Sequence, residues 1–361
     1  MVIKFLSASK INYMKNHLIH FNLSTKLNTV TFLLCFVLLF AGCGLKKEVA
    51  LSGKTMGTTY HIKVVAGMFT RTADLQKKID ARLDEINKSM STFIKDSEIS
   101  RFNADQNVGE KFMISDDFYN VLVVAKKIYE ETGGAWDGTV KPLVDLWGFG
   151  NGKIRHTLPE KSQIKTLLSD VGFSNIEISP DHYLVKKKAS IFLDLASIAK
   201  GYGVDQVAAL IRDNGINDFL VEIGGEIFAS GFRKDGKKWR VGINRPQGNA
   251  PFNQVYKVID IHDKGFATSG DYRNYFEVRH KRFSHIIDPR NGYPVDNGVV
   301  SVSILADTCT FADGLATAVM VLGSKKGLDL VNQLENTECF IVTQNKNGAL
   351  IDHYSRGFLP G

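Results

Sequence analysis

The chain has 361 residues, 44% of them hydrophobic and 23% charged, the composition of an ordinary globular protein with length enough for one large domain or two smaller ones. Its 45 basic residues outnumber 38 acidic ones, but four of the lysines fall in the first 42 residues, which carry no acid. Without that segment 41 basic residues face 38 acidic ones, a net charge of about +3, so the balance gives no support for a nucleic-acid partner.

Lys4, Lys10, Lys15 and Lys26 precede the apolar run "VTFLLCFVLLFAG", which ends at Cys43. A basic segment, a short apolar core and small residues before a cleavage point describe a secretory signal over residues 1–42. The run falls short of the roughly 18 apolar residues of a spanning helix. "FAGC" also matches a bacterial lipobox, in which Cys43 is lipidated and becomes the new N-terminus; Met14 is an alternative start, and an uncleaved anchor is the competing reading. Either way the body is expected outside the cytoplasm, held at a membrane. Of four cysteines only Cys309 and Cys339 lie beyond Cys43, which permits one disulfide at most and no Cys-x-x-Cys metal site.

Residues 44–52 read as a tether and 53–361 as one body. "TMGTTYHIKVVAG" alternates Tyr60, Ile62 and Val64 with Thr59, His61 and Lys63, a half-buried strand. "DLQKKIDARLDEINKSMS" sets Leu75, Ile79, Leu83 and Ile86 at helical spacing, and "SDDFYNVLVVAKKIYEETGG" is a helix capped by Ser115 or Asp116 and stopped by Gly133. "HTLPEKSQIKTLLSDVG" and "SIAKGYGVDQVAALIRDNG" are two more helices, the second ending on Gly215. Strands cluster next, in "NDFLVEIGGEIFASG", "KWRVGINRP", "VYKVIDIHDKGFATSG", "YFEVRHKRFSHIIDP" and "VVSVSILAD". "DTCTFADGLATAVMVLG" is a helix of small apolar residues, and "CFIVTQNKNGAL" a late strand with an Asn-Gly turn. Helices and hairpins mix without regular alternation, which predicts an α+β fold.

Several stretches carry more polarity than packing requires. Asp313 and Thr317 lie four apart on an otherwise apolar helix and so share one face. Two readings stand: Thr310 and Asp313 form a capping-box-like start, or Asp313 and the Thr317 hydroxyl hold a divalent cation with the hard oxygen donors that suit Mg²⁺. In "FLDLASIAKGYGVDQV", Asp194 precedes a helix whose first amides and Lys200 suit a phosphate, while small residues leave room for close approach; the plain reading is an N-cap acid and a solvated lysine. "GYG" lies inside that helix and is no dinucleotide fingerprint, since residue 206 is Gln. "SHIIDPRNGYPV" offers His285 as a general base on a hydroxyl, or as a structural histidine at a strand end. "GGAWDGTVKPLVDLWGFG" around Asp137, and Phe93 in "MSTF", suit either a planar ligand or ordinary Trp packing beside Gly turns.

Taken together, "MGTTY", "MSTF", "SEISRFN", "AWDGTVKPLVDLWGFG", "LDLASIAKGYGVDQV", "EIGGEIFASG", "HIIDPRNGYPV" and "TCTFADGLATAVMVLG" resemble the ApbE family of FAD:protein FMN transferases, in order and across nearly the whole body. The resemblance implies a single α+β body of mixed helices and antiparallel sheets, with two lobes around a flavin cleft. It implies Mg²⁺-dependent cleavage of FAD, with FMN moved to a threonine or serine hydroxyl of an acceptor protein and AMP released. By the same resemblance Met56, Phe93, Ala135, Trp136, Asp137, Asp194, Lys200 and Ile287 surround FAD. Asp313, Thr317 and the Ser197 carbonyl hold the metal, and His285 is the base. The implied acceptors are flavin-carrying subunits of membrane redox pumps, of the sodium-translocating NADH:quinone oxidoreductase or Rnf type. Two other readings share these residues: a metal-dependent FAD pyrophosphatase, and a flavin-binding lipoprotein without catalysis. Asn291 stands where many members carry Thr, and Glu222 where Asn is frequent, which bears on turn hydrogen bonding and local polarity.

Overall fold

The alternation read between Thr58 and Gly67 becomes the second strand of an eight-stranded sheet, with Tyr60, Ile62 and Val64 inward. The computed structural model describes residues 46–150, 158–248, 250–251, 254–272, 274–278 and 281–358. The signal segment and Cys43 lie outside these residues. Among the described residues no helix is long and apolar enough to cross a membrane.

The sheet runs in the order Lys46–Thr55, Thr58–Gly67, Asp218–Ile223, Glu226–Ser230, Lys264–Gly270, Val299–Ala306, Glu338–Gln344, Leu350–Tyr354. The pairings from Thr58–Gly67 onward are antiparallel. One expectation is corrected here: most of the tether, from Lys46 on, is the first strand. Its sequence "KKEVALSGKT" alternates small or apolar with polar residues, a period-2 signal weakened by Gly53 and easily read as linker. Lys46, Lys47 and Ala66–Thr70 form a small unit, in which Lys47 Nζ donates to the Thr70 carbonyl. The larger unit comprises Glu48–Val65 and the described residues from Arg71 on.

The periodic helices form as read. Leu75–Met90 buries Leu75, Ile79, Leu83 and Ile86; Asp116–Glu131 is capped by Ser115, whose Oγ accepts the Phe118 amide. Ala199–Asp213 and Cys309–Val331 pack closely against one another, and the latter is interrupted at Gly323, whose φ of 81° ends the predicted helix and starts a second piece. Two short helices were not apparent from periodicity, Glu98–Ala104 and Lys141–Leu146. Each is too short to show a repeat, although Pro142 in the first turn and Ser97 as cap are legible afterwards. Trp136, Phe118, Ile128, Leu193, Ile198 and Leu315 share one apolar core. Cys309 and Cys339 are buried free thiols, so the permitted disulfide is not formed.

Candidate active site

Two glycine-containing turns deliver side chains to the site. Met56 and Gly57 connect the first two strands with φ of 48° and 72°, the left-handed pair that a two-residue hairpin turn needs. The Met56 side chain reaches the Ala199–Asp213 helix at Gly203, where an added Cβ would stand 2.9 Å from Met56 Cε. Gly224 and Gly225, both at positive φ, turn the chain between Asp218–Ile223 and Glu226–Ser230, and so fix Glu226 as the first residue of its strand. Glu222 Oε1 accepts the Gly225 amide at 2.6 Å, which shows how glutamate serves this turn.

A cavity of about 730 Å³ opens beside these turns, lined among others by Met56, Asn87, Phe93, Asp194, Ala196 and Lys200. Phe93 is 79% exposed, an aromatic ring left uncovered at the cavity edge. Asp194 is set from three sides. Its amide donates to the Gly138 carbonyl, its Oδ1 accepts the Ala196 amide, and the Asn103 side chain brackets the preceding Leu193 with two hydrogen bonds. Burial raises the Asp194 carboxyl pKa, opposed by the Ala196 amide and Lys141.

Lys200 links the cavity to a buried acidic cluster. Its Nζ lies 2.7 Å from Glu226 Oε1 and 3.9 Å from Asp313 Oδ1. Burial alone would lower the Lys200 pKa, but Asp313 and Glu226 outweigh it and hold the ammonium charged. Asp313 is 3% exposed, and its Oδ2 accepts the Gly201 amide at 3.0 Å. Gly201 lies in the first turn of its helix, where an amide has no intrahelical acceptor, so Asp313 satisfies a donor that the helix leaves open. Thr317 Oγ1 meets Ser269 Oγ at 3.1 Å on the neighbouring strand. The capping-box reading of Thr310 and Asp313 is corrected for their own helix, since Thr308 caps it through the Phe311 amide and Asp205 receives the Cys309 and Thr310 amides and the Thr310 hydroxyl. The amide that Asp313 accepts belongs to the first turn of the neighbouring helix.

The remaining expected residues stand elsewhere. Ala135 and Trp136 are buried in the core, and Trp136 Nε1 donates to Ser197 Oγ at 3.0 Å. Asp137 accepts the Thr139 amide and hydroxyl and the Phe173 amide, so both of its oxygens are engaged. These three residues back the site without lining the described cavity. Ile287 is buried in a separate apolar cluster with Leu143 and Trp147. His285 Nδ1 lies 3.0 Å from the Asn274 carbonyl, an acceptor only, which makes Nδ1 the donor and leaves Nε2 with its lone pair. Burial lowers the His285 pKa, opposed by that carbonyl and helped by Arg282. Asn291 fills its turn by accepting the Tyr293 amide at 2.8 Å while its amide nitrogen reaches Asp288.

Glu226, Ser269 and Asp205 escaped the sequence reading. The available signal was an acid or hydroxyl isolated within an apolar stretch, as in "GGEIFAS", but such a residue names no partner until strands are paired.

This α+β body with a cavity and a buried acid–lysine cluster belongs to the ApbE family, which residues 56–341 match. It is 41% identical over 307 residues to the FAD:protein FMN transferase of Haemophilus influenzae, covering 84% of this chain and 88% of that one. The FAD:protein FMN transferase of Vibrio cholerae is 43% identical over 297 residues, covering 82% and 88%. Among solved structures, the flavin transferase ApbE from Vibrio cholerae superposes with a TM-score of 0.78 at 38% identity, covering 87% of this chain and 99% of that one. The apo flavinyl transferase ApbE of Pseudomonas stutzeri gives a TM-score of 0.77 at 35% identity, covering 87% and 96%.

Proposed function

We propose that this protein transfers FMN from FAD to a threonine or serine hydroxyl of an acceptor protein and releases AMP. The observation that carries the reading is Lys200, which both lines the cavity and pairs with the buried Asp313 and Glu226. A cavity with an apolar aromatic rim suits the flavin and nucleoside parts, and the charged end suits a diphosphate.

The residues present fit a small hard cation. Asp313 offers Oδ1, approached only loosely by Lys200, and Glu226 Oε2 is a buried oxygen without a hydrogen-bond partner. Among the described residues no group of three or more His, Cys, Asp or Glu could hold a metal ion; one carboxylate completed by hydroxyl and carbonyl oxygens is a donor set that suits Mg²⁺. Asp313, Thr317 and the Ser197 carbonyl would hold Mg²⁺, which when bound supplies charge neutralisation on the diphosphate oxygens. The Lys200 ammonium binds and orients the same anionic group. The Gly201 amide keeps the Asp313 carboxylate from rotating. His285 accepts the proton of the attacking hydroxyl at Nε2, a role that its lowered pKa and its Nδ1–H donation to Asn274 support.

Lipidation of Cys43 would hold the enzyme at the membrane outside the cytoplasm, beside flavin-carrying subunits of membrane redox pumps as acceptors; the signal-like segment and its "FAGC" ending support this part. The test of the reaction is to incubate the protein with FAD, Mg²⁺ and a threonine-bearing acceptor fragment and weigh the products. A covalent FMN adduct on the fragment is expected. Free FMN with AMP and no adduct would mean hydrolysis, and intact FAD would mean binding alone.

A further inference from the structure

Glu226 is an acid buried at 4% exposure in the wholly buried strand Glu226–Ser230. Its backbone is anchored: the Gly224–Gly225 turn ends at it, it pairs with Ile223, and Ile227–Ala229 just after it pair with the strand on the other side. Lys200, by contrast, reaches the cluster on a flexible four-carbon stem. Its ammonium stands 2.7 Å from Glu226 and 3.9 Å from Asp313, so Glu226 is the nearer of the two carboxylates and the cation rests on its side. A lysine ammonium and a divalent cation are rivals for one carboxylate oxygen.

We propose that Glu226 is a positioning residue that holds the Lys200 ammonium away from Asp313 and thereby keeps Asp313 Oδ1 open to a divalent cation. The inference rests on the reading of Asp313 as a cation ligand and goes beyond it by naming what protects that ligand. Neutralising Glu226 lets Lys200 close the remaining gap and pair directly with Asp313. The cation then has to displace it. Removing Lys200 as well removes the rival, so affinity returns although Glu226 is still absent. A directly ligating Glu226 behaves differently, because its loss is not repaired by a change at Lys200.

The experiment is calorimetric titration of Mg²⁺ into the full chain in detergent, comparing wild type, E226Q, K200M, E226Q/K200M and D313A, without FAD so that turnover does not enter. E226Q is expected to bind Mg²⁺ about tenfold or more weakly, the usual scale for residues that support a ligand. E226Q/K200M is expected to recover at least the wild-type affinity. Wild-type affinity in E226Q, or a double variant as weak as E226Q, overturns the proposal. If E226Q does not fold, K200M alone decides: affinity at or above wild type is expected, and a loss overturns the proposal. Absence of Mg²⁺ binding in the wild type, or binding unaffected by D313A, overturns the cation reading itself; binding that D313A abolishes leaves only the role of Glu226 at stake.

Discussion

Gly201→Ala tests whether the site depends on two helices touching backbone to backbone. Gly201 is helical, so its value lies in space and not in φ. A Cβ there would stand 2.7 Å from the Cys309 carbonyl carbon and 2.8 Å from Asp313 Cβ, and closer still to the Cys309 carbonyl oxygen. Ordinary contact begins near 3.4 Å, so relieving the nearest contact, with the Cys309 carbonyl oxygen, requires the Ala199–Asp213 and Cys309–Val331 helices to separate by about 1 Å. Backbone cannot swing aside as a long side chain does. Overpacking of this kind costs about 1–3 kcal/mol, offset by about 1 kcal/mol from the better helix propensity of alanine. The net is about 0–2 kcal/mol, or a fall in Tm of a few degrees for a domain of this size. The same shift stretches the 3.0 Å contact from the Gly201 amide to Asp313, and misplacement approaching 1 Å can reduce a rate about 10²-fold. The assay pairs calorimetric melting with FMN transfer to an acceptor fragment under saturating FAD and Mg²⁺. The expected signature is a transfer loss far larger than the stability loss. Wild-type transfer in a folded Gly201→Ala protein would refute the claim that this helix contact sets the site.

Asp313→Ala is expected to abolish transfer while retaining part of the FAD affinity, read by mass of the acceptor and by quenching of flavin fluorescence; an unaltered rate removes the carboxylate from the chemistry. His285→Ala is expected to slow transfer about 10²–10⁴-fold with little change in FAD affinity, measured by single-turnover kinetics. Because burial lowers the folded pKa of His285 below its ordinary value of 6.5, the neutral base predominates at pH 7 and is lost as pH falls through that lowered pKa, so kcat/KM should reach its plateau by about neutral pH and drop on the acid side. A titration midpoint above 6.5 contradicts this assignment. Asp205→Asn leaves the Cys309 and Thr310 amides facing an amide nitrogen or one acceptor fewer, and should cost about 1–3 kcal/mol in chemical denaturation.

Periodicity along the chain was enough to define the elements whose amphipathic pattern spans several turns. Leu75, Ile79, Leu83 and Ile86 are buried on one helix, and Tyr60, Ile62 and Val64 on one strand, because apolar burial acts on spacing that neighbouring residues already display. The ordered blocks suffice to recognise the family, and Asp313, Thr317, Asp194, Lys200 and His285 stand out in the sequence as polar residues in unusual settings. What each does was decided elsewhere. Asp313 meets an amide 112 residues away, Lys200 meets Glu226 across a sheet turn, and Thr308 rather than Thr310 receives the capping amide. Trp136 donates to a serine hydroxyl, and Asp137 accepts two loop amides and a threonine hydroxyl, partners that the sequence does not name. Hydrophobic patterning is local and survives in one dimension. A hydrogen bond or ion pair needs atoms within about 3 Å, and that proximity exists only after the sheet pairs its strands and the two helices close upon Gly201.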